Sequence, residues 1–220
     1  MNLEGSGFRL MFTKCIIMGN KSLHVILLIR ELGGIDLEIV VVSEYDPEWI
    51  NEYEQEKVKI RRVLSDVLLR IEHIGSTSIP KLGSKPIIDM MVGVADIQQV
   101  SEVYITGLEG IGYEYVFKPD FPERRFFRRG EWRAGTHHLH IYEYESENWM
   151  NNILFRDYLK NDSSMMEEYY FLKKKLEQQH KHDRVAYTDG KSDFIGMVIE
   201  MAKKVKERED GQKSQQGGVE

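Results

Sequence analysis

A chain of 220 residues with 41% hydrophobic content holds enough apolar material for one ordinary core, and its length suits one domain better than two. A net charge of −6 argues against an extended nucleic-acid surface, and a single cysteine, Cys15, excludes disulfide scaffolds and cysteine-based zinc sites. No apolar run approaches the roughly 18 to 20 residues of a membrane span, and the stretch Val25–Ile29 falls short of a signal-peptide core of about 7 to 15. A soluble, cytoplasmic protein is expected.

Residues 1–36 carry no sustained period, and the regular pattern starts at Leu37. Gly33-Gly34 can be encoded by a ribosome-binding sequence and Leu37 by an alternative start codon. Residues 1–36 are therefore read as an N-terminal extension, disordered and translated from upstream sequence, against the alternative of a genuine N-terminal arm. The β-branched run Glu38–Val42 predicts a strand. Asp46-Pro47 then opens a helix in which Ile50, Tyr53, Ile60, Leu64 and Val67 keep helical spacing to about Leu69. Arg70–Ile74 predicts a second strand and Pro86–Val94 a buried one. Asp96 caps a helix with Val100, Tyr104 and Leu108 on one side, ended by Gly110. Strands are predicted at Tyr113–Phe117, Arg125–Arg129 and His137–Glu143. Helices follow at about Trp149–Lys160, through Met165, Tyr169, Leu172 and Leu176, and through Phe194, Val198 and Met201. Residues 37–204 are expected to form a single domain and 205–220 a polar, disordered tail. Strands early and helices late predict an α/β protein of the α+β type, with a mixed sheet, helices mainly on one face and a C-terminal helical segment.

The stretch that carries chemistry runs His73-Ile74-Gly75-Ser76-Thr77-Ser78-Ile79-Pro80, then Lys85-Pro86-Ile87-Ile88-Asp89-Met90-Met91-Val92. Glycine lets backbone approach a ligand closely, and the amides and hydroxyls of Ser76, Thr77 and Ser78 can hold phosphate oxygens. Asp89 on the next strand can hold a magnesium ion bridging the same phosphates. Alternation puts Ile88, Met90 and Val92 on one face and Ile87, Asp89 and Met91 on the other. The alternative is an ordinary turn with a structural aspartate paired to Lys85 or an arginine.

This wording resembles the hallmark block of the GrpB family, which reads like HIGSTSVPGLAAKPIIDI. The resemblance extends to Tyr45-Asp46-Pro47-Glu48-Trp49, Arg125-Phe126-Phe127, His138-Leu139-His140, Phe155-Arg156-Asp157-Tyr158-Leu159, and Tyr187-Thr188 with Lys191 and Phe194-Ile195. It covers about residues 38–202. It implies a nucleotidyltransferase-like fold, and the occurrence of GrpB-like domains joined to dephospho-CoA kinase implies a link to coenzyme A metabolism. The nucleotidyltransferase pattern is Gly-Ser, about ten residues, then acid–apolar–acid, with a third acid on a later strand; the acids hold two metal ions. Gly75-Ser76 and Asp89 match that pattern. Met91 stands at the second acid and cannot ligate magnesium.

His138 and His140 share one face of their strand and suit either phosphate binding or a metal site with Asp89, the alternative being structural hydrogen bonding. His137 points the other way, and His73 precedes the turn; both read as caps of local backbone. Alternation groups Arg125, Phe127 and Arg129 apart from Arg124, Phe126 and Arg128. The first trio is read as phosphate-binding arginines with an aromatic for a base, against a solvated edge strand. Lys85 reads similarly. Arg156-Asp157 suggests an ion pair locking helix to sheet. Lys191 suits an anion or the surface equally, and Lys173–Lys175 reads as a solvated face.

The leading expectation is a nucleotidyltransferase-like enzyme acting on a nucleotide or other phosphorylated metabolite. Gly75, Ser76, Thr77 and Ser78 would hold phosphate, Asp89 would bind Mg2+, and Lys85, Arg125 and Arg129 would neutralise charge. His138 or His140 would act as acid–base or auxiliary ligand. The second is a non-catalytic phosphometabolite-binding or protein-interaction module that has lost an acid. The third, a metal-dependent hydrolase, needs Asp89, His138 and His140 within about 4 Å of one point. A single site of the leading kind also needs Asp89, His138 and Arg125 on one face.

Overall fold

The computed structural model describes residues 39–131 and 134–216, so the extension assigned to 1–36 lies outside the described residues. Asp46 accepts the amide of Glu48 at 2.9 Å, and helix α1 (Glu48–Val63) follows, burying Trp49, Tyr53 and Ile60 on one face. The helix stops at Val63 rather than Leu69, because the chain from Leu68 is taken up by pairing in the sheet. The strands are β1 (Leu68–Ile74), β2 (Ile88–Val94), β3 (Tyr113–Tyr115), β4 (Arg125–Glu131) and β5 (Ala134–Glu143). Helix α2 (Glu102–Gly110) lies between β2 and β3. Asp96 caps a 3-10 turn, Ile97–Gln99, ahead of α2 instead of capping the helix itself.

The five strands form one mixed sheet in the order β1-β2-β5-β4-β3. β2 and β5 run parallel at its centre, and the other pairings are antiparallel. Parallel neighbours need a long crossover, which the segment carrying α2, β3 and β4 provides. β2 is apolar almost throughout because both its faces are covered. Ile88, Met90 and Val92 meet Leu139, Ile141 and Phe127 under α1 and α2. On the other face Met91 meets Ile74, Tyr142 and Trp149. The expected α+β class with a mixed sheet is what the chain adopts.

The C-terminal segment is helical: α3 (Glu147–Asn161), α4 (Ser163–Gln179), the short α5 (Arg184–Asp189) and α6 (Ser192–Gln216). α5 had no counterpart in the sequence reading, and α6 runs past the expected start of a tail at 205. These helices build a second core from Phe155, Leu159, Tyr169 and Val198, and into it the loop after the Ser76 turn inserts Ile79 and Leu82. The strand expected at 38–42 is not in the sheet. Val40 and Val42 bury against Leu176 and Tyr187 instead, and Ser43 exchanges backbone bonds with Ser84 as an isolated bridge.

Arg156 ties the two cores together. Its guanidinium donates to Glu72 Oε2 at 2.8 Å and His73 O at 3.1 Å on β1, and to Asp157 at 2.7 Å. Only 11% of the Arg156 side chain and 18% of that of Glu72 are exposed, which separates this pair from surface ion pairs. Arg156→Met is therefore expected to cost about 3 kcal/mol, because Glu72 is left as a poorly solvated carboxylate facing only exposed Arg70. Denaturant unfolding at neutral pH measures this; a loss near the surface-pair range of about 0.5 kcal/mol would place the pair in solvent.

Candidate functional site

The register of the two central strands builds the site. In the β2–β5 ladder Asp89 stands beside His138 and Met91 beside His140. Because side chains alternate, Leu139 and Ile141 go into the main core, while His138, His140 and Tyr142 take the Asp89 face. One carboxylate oxygen of Asp89 and one ring nitrogen from each of His138 and His140 lie within 4.8 Å of one another. His138 Nδ1 is 2.9 Å from Asp89 Oδ1. An ionised carboxylate only accepts, so this ring nitrogen is the donor. Burial alone would raise the Asp89 carboxyl, but the His138 bond and the nearby charge of Lys191 hold it below its usual value. Burial pushes His140 down to about 4 against the pull of Asp89, so its imidazole is neutral at neutral pH.

The Gly75 turn closes over this cluster. Gly75 has φ +67° and ψ −175°, a region essentially reserved for glycine. A Cβ there would lie 2.5 Å from Asp89 Oδ2, so the missing side chain is what lets the turn rest on the carboxylate. Residues Ser76–Ser78 form one 3-10 turn. Ser76 is partly buried and bonds the hydroxyl of Tyr169. Thr77 and Ser78 do not face a ligand: Thr77 donates to Ile87 O at 3.1 Å, Ser78 donates to Gly75 O at 2.6 Å, and both are buried. Their hydroxyls hold the turn itself, which corrects their expected phosphate contact.

The cations near Asp89 are mostly not those expected. Arg125 and Arg129 share the face of Phe127, which lies in the main core on the opposite side of the sheet. Arg129 is ion-paired to Glu56 of α1, and Arg125 donates to Pro122 O at 3.1 Å. The condition that Asp89, His138 and Arg125 share a face therefore fails, and the single site expected from the sequence, with Arg125 and Arg129 as its phosphate anchors, is not formed. Alternation separates two trios but cannot say which faces the core when each contains a phenylalanine. The site face carries Phe126, with its ring 5.3 Å from His138 and 5.0 Å from His140, and Arg124, stacked 5.4 Å from Phe126. Arg124 also bonds Tyr142.

From the C-terminal segment, Lys191 in the turn before α6 acts on Asp89, and Lys173 of α4 acts on Lys191. Burial lowers Lys191 while Asp89 pulls it up, and its ammonium sits 4.7 Å from the Tyr187 ring. Lys85, 5.8 Å from the same ring, is brought alongside. Lys173 is 1% exposed, which corrects its assignment to a solvated face. Its ammonium donates to Gly83 O and lies over Tyr169, 4.8 Å from the ring centroid. The sequence did hold this signal: Tyr169, Lys173 and Leu176 fall at i, i+4 and i+7, the spacing of a buried stripe. His73, stacked on Tyr53 at 4.7 Å, and His137 are not in the cluster, and each ring bonds a hydroxyl, of Thr77 and Thr136, rather than capping backbone.

A cleft of about 470 Å³ runs along the β1 edge past Lys57, Arg61, Arg156 and Lys160, and its lining does not include Asp89, His138 or His140.

The family model described as GrpB protein matches residues 39–201. The chain belongs to the GrpB family. The UPF0157 protein YqkA of Bacillus subtilis is 35% identical over 167 residues, 76% of this chain and 48% of that protein. The glutamate-rich protein GrpB of Alkalihalophilus pseudofirmus is 28% identical over 76% of this chain and 97% of its own length. The crystal structure of the conserved protein GrpB from Enterococcus faecalis superposes with a TM-score of 0.68 at 36% identity, covering 74% of this chain and 96% of that one. The chain thus spans about half the length of its Bacillus subtilis relative and nearly all of the other two GrpB proteins. No helix among the described residues is long and apolar enough to cross a membrane.

The nucleotidyltransferase resemblance implies magnesium, which takes oxygen ligands and keeps several waters. The cluster here offers one carboxylate and two imidazoles. That donor set suits a cation but does not fit the magnesium pair of an all-acid site.

Proposed function

We propose that this GrpB-family protein is a nucleotidyltransferase-like enzyme that binds a nucleotide or other phosphorylated small molecule at the Gly75–Asp89 cluster and carries out transfer or hydrolysis at phosphorus. The observation that carries the reading is the meeting of buried Lys173 with Lys191, where Asp89 acts on Lys191 and no carboxylate bonded to Lys173 is seen among the described residues. Lys173 is surrounded by a carbonyl, an aromatic face and the like charge of Lys191. Holding Lys173 charged out of water beside Lys191 is unfavourable until a further anion joins them. A phosphate beside Ser76 supplies that charge, with Lys191 and Lys85 as further anchors. Tyr187, buried between these two lysines, holds their stems in place.

In such a reaction an oxygen nucleophile forms a new bond to phosphorus and the bond to the leaving oxygen breaks. The nucleophile's proton leaves to solvent, the Asp89–His138–His140 cluster lies at the reacting oxygens, and the lysines stabilise the leaving anion. A link to coenzyme A metabolism makes phosphorylated pantetheine derivatives one natural set of candidates beside nucleotides. The second reading, a non-catalytic binding module, draws on Met91, which is fully buried and takes no part in polar chemistry.

Thermal-shift measurements with nucleotides and coenzyme A precursors test binding, and phosphorus NMR of the binders tests turnover. A true ligand at a hundredfold excess over its Kd stabilises the fold by roughly 2.7 kcal/mol, and Lys191→Met should weaken that shift. Binding without turnover would favour the module, and no shift with any phosphate compound would remove the reading altogether.

A further inference from the structure

The departure from an all-acid pattern has a structural answer. In the pattern the second acid follows the first by two residues on the same strand, and here that place is Met91. The β2–β5 register sets His140 directly beside Met91, and His138 directly beside Asp89. What β2 lacks, the neighbouring parallel strand supplies at the same height and on the same face. The replacement is a nitrogen donor rather than an oxygen donor, and this changes which ion the cluster suits.

We propose that Asp89, His138 and His140 are the three protein ligands of a borderline transition-metal dication of the zinc or cobalt class. The proposal rests on reading this cluster as the reaction centre and deepens it by naming the ion. Three observations support it. The donor atoms lie within 4.8 Å of one another, and ligands about 2.1 Å from one tetrahedral ion are about 3.4 Å apart, so modest side-chain rotation completes the set. His140 Nδ1 is buried without a hydrogen-bond partner in the protein, which costs about 1–3 kcal/mol unless something occupies it. The third is supporting structure: Phe126 packs on both imidazoles and the Gly75 turn rests against Asp89, so the donors are held by packing. One carboxylate with two imidazoles is a donor set that zinc and its neighbours accept. Three protein ligands also leave at least one coordination position open, as in sites that work on a substrate rather than staple a fold.

The test uses the full chain stripped of metal with a chelator, then titrated with Zn2+, Co2+, Mn2+ and Mg2+ by calorimetry, with the visible absorption of Co2+ as a second readout. One equivalent of Zn2+ or Co2+ is expected, bound at least 100-fold more tightly than Mg2+. Cobalt should give visible bands that weaken in His140→Ala and in His138→Ala, and affinity should fall at least 10-fold in each. The double variant His180→Ala with His182→Ala, on the remote α4–α5 connection, controls for surface binding and should change nothing. Circular dichroism melting confirms that each variant folds. Equal affinity for Mg2+ and Zn2+, or Zn2+ binding that survives His140→Ala undiminished, overturns the proposal. Because these titrations contain no phosphate ligand, their failure leaves the thermal-shift result standing. Tight zinc binding with no phosphate ligand would in turn sink the functional reading alone.

Discussion

Gly75→Ala is expected to lose about 4 kcal/mol of stability and most of the affinity of the Asp89 cluster for any cation. Two costs combine. At φ +67° and ψ −175° a side-chain-bearing residue pays about 1–3 kcal/mol in backbone strain. Its Cβ would also overlap Asp89 Oδ2 at 2.5 Å and the Asp89 Cβ at 3.0 Å. Neither atom can give way freely, since Asp89 is held by His138 and lies in the most buried strand of the sheet. Relief must therefore come from moving the turn or rotating the carboxylate, and both disturb the cluster. Denaturant unfolding combined with Co2+ titration reads the two effects together. A variant as stable as the parent with unchanged metal binding would mean that the turn and the carboxylate are not in contact.

The second large effect concerns Lys173 and pH. Burial, reinforced by the charge of Lys191, lowers this lysine from 10.5 to about 7. The sign follows from proton counting. Below pH 7 the lysine is charged in both states and the fold bears the full burial penalty. Between about 7 and 10.5 the unfolded chain keeps a proton that the folded chain has released, so stability rises with pH. At about 1.4 kcal/mol per pH unit the gain is at most roughly 5 kcal/mol. Lys173→Met removes this dependence, so the stability difference, parent minus variant, should climb from pH 7 to pH 10 while other titrations cancel. A flat difference would show Lys173 to be solvated. A bound phosphate should flatten the curve, because an anion beside Lys173 stabilises its charged form.

How much of this was legible in the sequence varies residue by residue. The alternation in β2 and β5 put Asp89 on one face of its strand, and His138 and His140 together on one face of theirs, because a two-residue period is a local property. Their meeting was not legible. It depends on β2 and β5 lying side by side and parallel, although about 40 residues of chain intervene, and pairing at that range leaves no local trace. The arginine strand failed for a related reason: its two faces were separable, but nothing local marks Phe127 rather than Phe126 as the core residue. Val40 and Val42 kept a strand-like pattern while burying against helices, since alternation reports one buried side and not what covers it. Lys173 is different. Its place in the Tyr169–Leu176 stripe was readable, and the adjoining lysines obscured it.

The two bonds that anchor the Ser76 turn have a consequence for how the molecule folds. Arg156 donates to the carbonyl of His73 just before the turn, and Lys173 to the carbonyl of Gly83 just after it. These contacts join residues 83 and 90 positions apart in the chain, so each closes a long loop at an entropic cost that only later contacts repay. The sheet can bring Asp89 and the two histidines into register before the C-terminal helices dock. A chain that lacks α3 and α4 would therefore carry Asp89, His138 and His140 without these two anchors of the turn.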